Sequence, residues 1–406
     1  MLKFRLLHAA LAVHRSGSAT RASAEGGATQ PALTAAIASL ERTVGVPLFH
    51  RSSRGMHATD AGALFCQRVE VAFAHIDGAE ATLRRRRAHP DLPPNFRRLI
   101  TERQLAALSA LLTAGSFMAA ARSLGVSQPN VHRLVRDLET VTGLSLWRQG
   151  AASGEATPDG RLLARAGDVC RREIGLAVDA ARELEGRVDG ALLIGALPLS
   201  RSGWVPDGIV ATLARYPEAQ VRVIDGPYAE QLRALLHGQV DIIVGALRSP
   251  APVDDIVQVP AFQDPLAIAV RPGHPLLGPG GRPRPLRDLP ADLTWVLAGK
   301  GAPGRETFER HLAAQGCPPP ARVVECGSLV ATRALLLGSD FVAPISPRQI
   351  KLELDLGILA LLCEAQADTS RAIGLTLRKG FRPTRLYQAL IDQLMAGPPP
   401  GPAIKL

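Results

Sequence analysis

Cysteine is scarce and scattered in this chain of 406 residues. Cys66, Cys170, Cys317, Cys326 and Cys363 form no CxxC pair and join no histidine at metal-ligand spacing. That excludes the usual zinc modules and a disulfide framework. The five read as small buried hydrophobes in a reducing compartment, with a Cys317–Cys326 redox pair as the lesser reading. No apolar run approaches the roughly 18 residues that would span a bilayer. The opening MLKFRLLHAALAV has the outline of an export signal, but His8 and His14 interrupt it and no small-residue cleavage site follows cleanly. A cytoplasmic protein is expected. Catalytic punctuation is read as missing as well: no GxSxG elbow, no GxxxxGK[ST] loop, no HExxH helix and no Rossmann fingerprint. The chain is not expected to be an enzyme, and nothing in it asks for a cofactor or a metal.

Charge is unevenly placed within a net +10. Residues 1–165 hold 21 Lys/Arg against 12 Asp/Glu, whereas residues 166–406 hold 26 against 25. A basic front and a neutral back predict that the front meets a polyanion, most often nucleic acid. The plainer alternative is the solvated surface of an arginine-rich chain.

The front is also duplicated. Residues 127–139 read SQPNVHRLVRDLE, and 98 positions earlier residues 29–41 read TQPALTAAIASLE. Residues 17–62 align with 115–160 at that offset without a gap, and Gly45, Leu48, Thr59 and Gly62 recur as Gly143, Leu146, Thr157 and Gly160. One small module has been copied. In the second copy Phe117, Ala120, Ala121 and Leu124 fall at helical spacing, as do Val131, Leu134, Val135 and Leu138. Gly125 is placed to end one helix, Ser127 to cap the next, and Pro129 to sit in its first turn. Two short helices joined by a glycine turn make a helix-turn-helix. The turn-rich stretch after Leu146-Trp147 predicts a two-stranded wing. From Asp159 to about Arg187 an apolar stripe at helical spacing predicts a helix roughly 40 Å long, for which a second chain is the natural partner. The first copy has a trailing helix too, from about Asp60 to Leu83, followed by RRRR at 84–87 and a Pro-rich connector. The arginine run reads as a solvated helix end ahead of a phosphate clamp.

Beyond Asp189 strand and helix patterns alternate. Strands are expected at 191–196, 220–225, 240–246, 266–270, 294–298, 322–326, 341–345 and 372–378. That is α/β layering with largely parallel sheets. The chain builds one lobe, crosses near Pro265, builds a second and returns, so a ligand is expected between the lobes at the carboxyl ends of strands.

These residues resemble the LysR-type transcriptional regulators. The likeness is carried by GSFMAAARSLGVSQPNVHRLVRDLETVTGLSLWR, by QPALTAAIASLERTVGVPLFHRSSRGMHATDAG, and by GALLIGALPLSRSGWVPDGI, LLHGQVDIIVGALR and LAIAVRPGHPL. The resemblance covers nearly the whole chain and implies a fold that is α/β overall: winged helix-turn-helix, linker helix, and a two-lobed effector domain like the periplasmic binding proteins. The family normally carries one reading module, so the second is a departure. The expected divisions are 1–62 and 99–158 for the two modules, 63–98 for the trailing helix and connector, 159–189 for the linker helix and 190–397 for the effector domain.

Candidate DNA contacts in copy two are Ser127, Gln128, Pro129, Asn130, His132, Arg133 and Arg136, donors suited to phosphates and guanine edges. Copy one offers Thr29, Gln30 and Thr34 on a helix that otherwise shows alanine, with Arg51 and Arg54 in its wing. The first helix of its turn has Ala19 and Gly26 where copy two has Phe117 and Leu124, so its core is expected to be leaner or to borrow from a neighbour. Ser200 and Ser202 fall where the family places hydroxyls at the cleft, and Arg248, Lys300 and Ser328 follow later strands. The reading is a DNA-binding regulator modulated by a small, anionic metabolite, working as a homodimer or homotetramer. The alternative is a small-molecule-binding protein whose front modules serve dimerisation or protein interaction.

Overall fold

The computed structural model describes residues 2–26, 29–52, 55–86, 92–93, 96–148, 154–278 and 285–397. Two compact units emerge: the chain through Gly190 together with Leu236–Gln239, and Ala191–Leu235 with the chain from Val240 onward.

The first unit contains the duplicated module. Copy one runs α1 (Phe4–Ser16), α2 (Ala19–Gly26), α3 (Gln30–Val44), the hairpin β1 (Phe49–Ser52) and β2 (Gly55–Ala58), and α4 (Asp60–Arg85). Copy two repeats it as α5 (Glu102–Ala114), α6 (Phe117–Leu124), α7 (Gln128–Thr142), β3 (Trp147–Arg148), β4 (Glu155–Ala156) and α8 (Pro158–Leu184). The local chemistry repeats with the sequence. Glu41 Oε1 accepts the N–H groups of Leu48 and Phe49, and Glu139 Oε1 those of Leu146 and Trp147. Thr59 and Thr157 cap their long helices by accepting from Gly62 N and Gly160 N, each at 2.9 Å. Both threonine hydroxyls also donate back to the wing entry, to Pro47 O and Ser145 O. A Cβ on Gly62 would lie 1.8 Å from Leu48 O, and one on Gly160 2.1 Å from Leu146 O. Backbone passes backbone there, and only glycine fits.

Two expectations are corrected here. Leu124 is 37% exposed and Phe117 is half-buried against His132 and Trp147, so the buried face of α6 is Ala120 and Ala121. Copy one therefore lost less than Ala19 and Gly26 implied. It gains support from α1, whose Leu6, Leu7, Ala10, Leu11 and Val13 join the same core as Ala19, Ala22 and Met56.

The second correction concerns the linker helix. Its stripe packs on α4 of the same chain. Phe65, Val69, Ala72, Phe73 and Ile76 of α4 share one continuous core with Leu163, Cys170, Ile174, Ala177 and Ala181 of α8. The helices run antiparallel. Arg86, just past the tail of α4, pairs with Asp159 at the head of α8 (2.8 Å). Arg182 near the tail of α8 donates to Val44 O at the end of α3, ahead of the wing that leads into α4 (2.7 Å).

The second unit is a two-lobed α/β body. Its first lobe is β5 (Ala191–Ala196), α9 (Trp204–Arg215), β6 (Gln220–Ile224), α10 (Tyr228–Leu236) and β7 (Ile242–Ala246). A long strand, β8 (Ile256–Val270), leads to the second lobe: β9 (Thr294–Leu297), α11 (Pro303–Ala314), β10 (Arg322–Glu325), α12 (Leu329–Leu337), β11 (Ala343–Ile345) and α13 (Lys351–Asp355). The return is β12 (Ala360–Arg378), closed by α14 (Arg385–Met395). β5 is parallel to β6 and β7, and β9 to β10, while β8 and β12 pair antiparallel to each other. The main sheet, in the order β11-β8-β12-β7-β5-β6, is therefore mixed rather than largely parallel. The crossing strands make it so.

Candidate nucleic-acid interface and effector cleft

The reading helix of copy two is α7. Val131, Val135 and Leu138 are buried, which turns the opposite side to solvent. Ser127, Gln128, Pro129, His132, Arg133 and Arg136 are exposed there, and Asn130 is half-buried. Arg133 Nη2 donates to Asn130 Oδ1 (3.1 Å) and Arg136 Nη1 to Glu139 Oε2 (3.1 Å). The His132 ring lies 5.1 Å from that of Phe117. Sequence reasoning missed Arg148, which stands exposed on β3 opposite Glu155 and gives this wing a cation.

In copy one, Thr29 caps α3, accepting from Ala32 N, and Gln30, Ala32 and Ala35 are exposed with Thr34 half-buried. Arg51 is exposed on β1 opposite Met56, and Arg54 lies outside the described residues. The arginine run is partly committed inside the unit: Arg84 to Glu80 and to Pro93 O, Arg85 to Thr82, and Arg86 to Asp159.

In the second unit the five candidates part company. Ser200 is fully buried, and its hydroxyl points to Leu197 O (2.9 Å) and Val244 O (2.8 Å), holding the turn after β5. Ser202 is exposed at the end of that turn, and Ser328 caps α12 by accepting from Ala331 N. Arg248 lies over the Tyr228 ring at 4.3 Å and donates to Gly301 O at 3.2 Å, so it reaches from the first lobe to the loop that carries exposed Lys300. Burial draws its guanidinium down from the usual arginine range, against the opposing pull of Tyr228. The same burial raises the Tyr228 phenol, whose Oη has no hydrogen-bond partner.

That loop, AGKGAPG, has glycines at GxGxxG spacing and opens α11, an arrangement suited to an anion. Glu325, where a ribose-binding acid would follow, is instead paired with Arg305 (3.0 Å). Sequence reasoning took only Lys300 from this loop and missed Arg371 altogether. Arg371 sits on β12 in register with Asp264 of β8, to which its Nη2 is bound at 3.0 Å. Burial of Arg371 lowers its pKa and burial of Asp264 raises that carboxyl, each partly offset by the other. Ser346 donates to the second oxygen of Asp264 (2.7 Å). The other guanidinium nitrogen, Arg371 Nη1, is buried without a hydrogen-bond partner. It lies 3.6 Å from where a Cβ of Gly304, in the first turn of α11, would stand. The signal for it in sequence was slight: one arginine ahead of the apolar run AIGLTL.

Among the described residues no group of His, Cys, Asp or Glu could hold a metal ion, and no helix is long and apolar enough to cross a membrane.

The profile of the bacterial regulatory helix-turn-helix proteins of the lysR family matches twice, over residues 4–63 and 102–161. That of the LysR substrate binding domain matches residues 185–398. The HTH-type transcriptional regulator GalR of Pseudomonas putida is 31% identical over 374 residues, 92% of this chain and 92% of GalR. That alignment leaves fewer residues unmatched than one copy holds. PcaQ of Agrobacterium fabrum is 28% identical over 279 residues, 69% of this chain and 89% of PcaQ. Among solved structures, a full-length OxyR variant from Pseudomonas aeruginosa superposes with a TM-score of 0.55 at 22% identity, over 73% of this chain and 94% of its own. CbnR complexed with its target DNA gives 0.50 at 23%, over 73% and 99%. LysG from Corynebacterium glutamicum with bound effector Arg gives 0.51 at 22%, over 74% and 99%. These structures share the fold. With two matches to the reading module ahead of one to the substrate-binding domain, the chain belongs to the LysR family of bacterial transcriptional regulators.

Proposed function

We propose that this LysR-type regulator, cytoplasmic and working as a homodimer or homotetramer, binds operator DNA through its two winged modules under the control of a small anionic metabolite held between the effector lobes. Base contacts select sequence and phosphate contacts set affinity and register. On that division α7, with Asn130, Arg133 and Arg136, selects guanine, while copy one chiefly grips phosphate through the wing with Arg51 and Arg54, its α3 with Thr29, Gln30 and Thr34 being fit for thymine-methyl contacts but poor for guanine.

The observation that carries the anionic effector is Arg371 Nη1, a buried cationic donor without a partner beside the first turn of α11. A buried charged group of this kind favours an opposite charge. Lys300 stands on the loop ahead of that turn, and Arg248, stacked over Tyr228, reaches it. Ser202 and Ser328 remain candidates at the rim. Ser200 serves as the support of the turn, since its one proton is already used. The test is isothermal calorimetry of the full chain with a panel of mono- and dicarboxylates, followed by anisotropy on a duplex from the intergenic region beside its own gene. Arg248→Gln should weaken the binding of whichever acid gives heat by about tenfold or more, and should abolish its effect on DNA affinity while leaving that affinity itself in place. Arg371→Lys, which keeps a charge against Asp264, should weaken it too. Unchanged acid binding in both variants would place the effector elsewhere.

A further inference from the structure

The α4–α8 pair brings the two copies face to face. At the offset of 98, residues 4 and 102 are equivalent, and the Phe4 N–H donates to Glu102 Oε2 at 3.2 Å. In an antiparallel pair, equivalent positions touch where the twofold axis relating the copies passes between them. The other ties lie at the two opposite ends of the helix pair. Arg86, past the tail of copy one's long helix, meets Asp159 at the start of copy two's. Arg182 and Arg187, at the tail of copy two's, meet Val44 O and Gly45 O just ahead of the wing of copy one. The equivalent residues Phe65 and Leu163, and Ile76 and Ile174, share one core, and an antiparallel pair of equivalent helices is the arrangement of a twofold interface between two subunits. Here it is made by one chain.

We propose that a single chain is the complete DNA-reading pair, and that it reads a site whose two halves differ in chemistry. One half contains guanine and is taken by Asn130, Arg133 and Arg136 of α7. The other is A·T-rich and is taken by Ala32, Thr34 and Ala35 of α3, with Arg51 on the flanking phosphates. This rests on the DNA-binding reading above. Three observations support it.

First, the pairing surface is used up. On α8, Leu163, Val169, Cys170, Ile174 and Ala177 are all buried, and among the described residues of that helix only Leu184 is an exposed large hydrophobic. Second, the partner helix is tethered. Fewer than twenty residues lead from the end of α4 to the start of α5. A short tether holds its partner at an effective concentration on the order of millimolar, so a free chain at micromolar level competes at a disadvantage of about a thousandfold. Third, the copies kept their scaffold and changed their faces. Glu41 and Glu139, Thr59 and Thr157, and Gly62 and Gly160 do the same work in each. Yet Ala32, Thr34, Ala35 and Ala38 stand where Asn130, His132, Arg133 and Arg136 stand. Modules related by a twofold axis meet opposite halves of a duplex, so identical modules read a palindrome. Arginine pairs with guanine, whereas alanine and the threonine methyl pack on the thymine methyl. Unlike modules on one axis read unlike halves.

The test is in vitro selection with the full chain from a randomised duplex library. The expected site has one guanine-containing half and one A·T half at fixed spacing. The variant with Ala32→Asn, Thr34→His, Ala35→Arg and Ala38→Arg should select an inverted repeat of the guanine half at the same spacing. Selection of that inverted repeat by the parent chain would mean that two α7 helices from two chains pair, and the proposal fails. No enrichment by the parent at any salt would instead sink the DNA-binding reading, and this proposal with it. A second measurement does not depend on the variant folding. With Cys317 and Cys326 changed to Ser, Arg86→Cys and Asp159→Cys are joined by a short bismaleimide. Cross-linking at the mass of one chain is expected. A two-chain product, or none, overturns the pairing.

Discussion

Arg133 and Arg136 hold their guanidinium groups on neighbours one helical turn away, Asn130 and Glu139. Exposed contacts of this kind are worth a few tenths of a kcal/mol, so DNA draws the arginines off at little cost. Arg133→Ala and Arg136→Ala should each weaken operator binding by about 1–3 kcal/mol, measured by anisotropy, with the melting temperature unchanged. Parent-like binding by both would remove α7 as the reader. Asp179 gives a second test. It lines a cavity of about 260 Å³ with Phe4, Glu102 and Arg171, and burial pushes its carboxyl up to about 6 against the pull of Arg172. The folded state therefore holds this proton through a range where the unfolded chain has lost it, and stability falls as pH rises from about 4 to about 6. Asp179→Asn should raise stability at pH 7 by on the order of 1–2 kcal/mol, with the gain gone at pH 3.5 in chemical denaturation. A gain that persists at pH 3.5 would assign the effect to something other than ionisation. Arg133 and Arg136 were legible as exposed cations because helical spacing fixes which side of α7 is buried. Arg371 was not. Its meaning comes from Asp264 and Gly304, which only the crossing of β8 and β12 brings near it.

At the scale of elements, the junction from wing to long helix is the most constrained point of each copy. Gly62→Ala would drive a methyl into Leu48 O, and should cost copy one about 1–3 kcal/mol or more. Gly78→Ala, in the same helix but with open space around its Cβ, should be neutral or stabilising by up to about 1 kcal/mol. Thermal melts of the two side by side check this, and equal losses would mean that helix propensity, not the close approach, governs α4. The long helices were readable from their stripes. α4, expected from about Asp60 to Leu83, runs Asp60–Arg85. The strands of the lobes were readable as apolar runs, but the first halves of β8 and β12 were not. IVQVPAFQDP and LLCEAQADTS carry proline and charge where a buried strand would alternate. They are strands because each pairs with the second half of the other strand, through register shifts between Leu361 and Gly374. The wrong reading of Phe117 and Leu124 has a similar source. Spacing identifies one side of a helix, but not whether a neighbour covers its ends.

For the whole molecule, the repeat was plain in the sequence, whereas the pairing of its two halves was not. An apolar stripe states that something must cover it, and a second chain and a second copy satisfy that demand equally well. The structure chooses the copy. Removing residues 1–95 takes α4 away and uncovers the α8 stripe, so the shortened chain should self-associate through α8. Sedimentation velocity should show a concentration-dependent dimer in addition to whatever association the parent has. A shortened chain that matches the parent in state and solubility would show that α4 is not what keeps that surface dry.

The different faces of α3 and α7 have one more consequence. An inverted repeat reads alike from either end, so a symmetric dimer bound to it has no heading along the chromosome. A chain that reads two unlike arms binds in one direction only, and every surface it carries then points consistently upstream or downstream. Turning the site end for end between two genes would turn the bound protein with it, and with it which gene lies ahead and which behind.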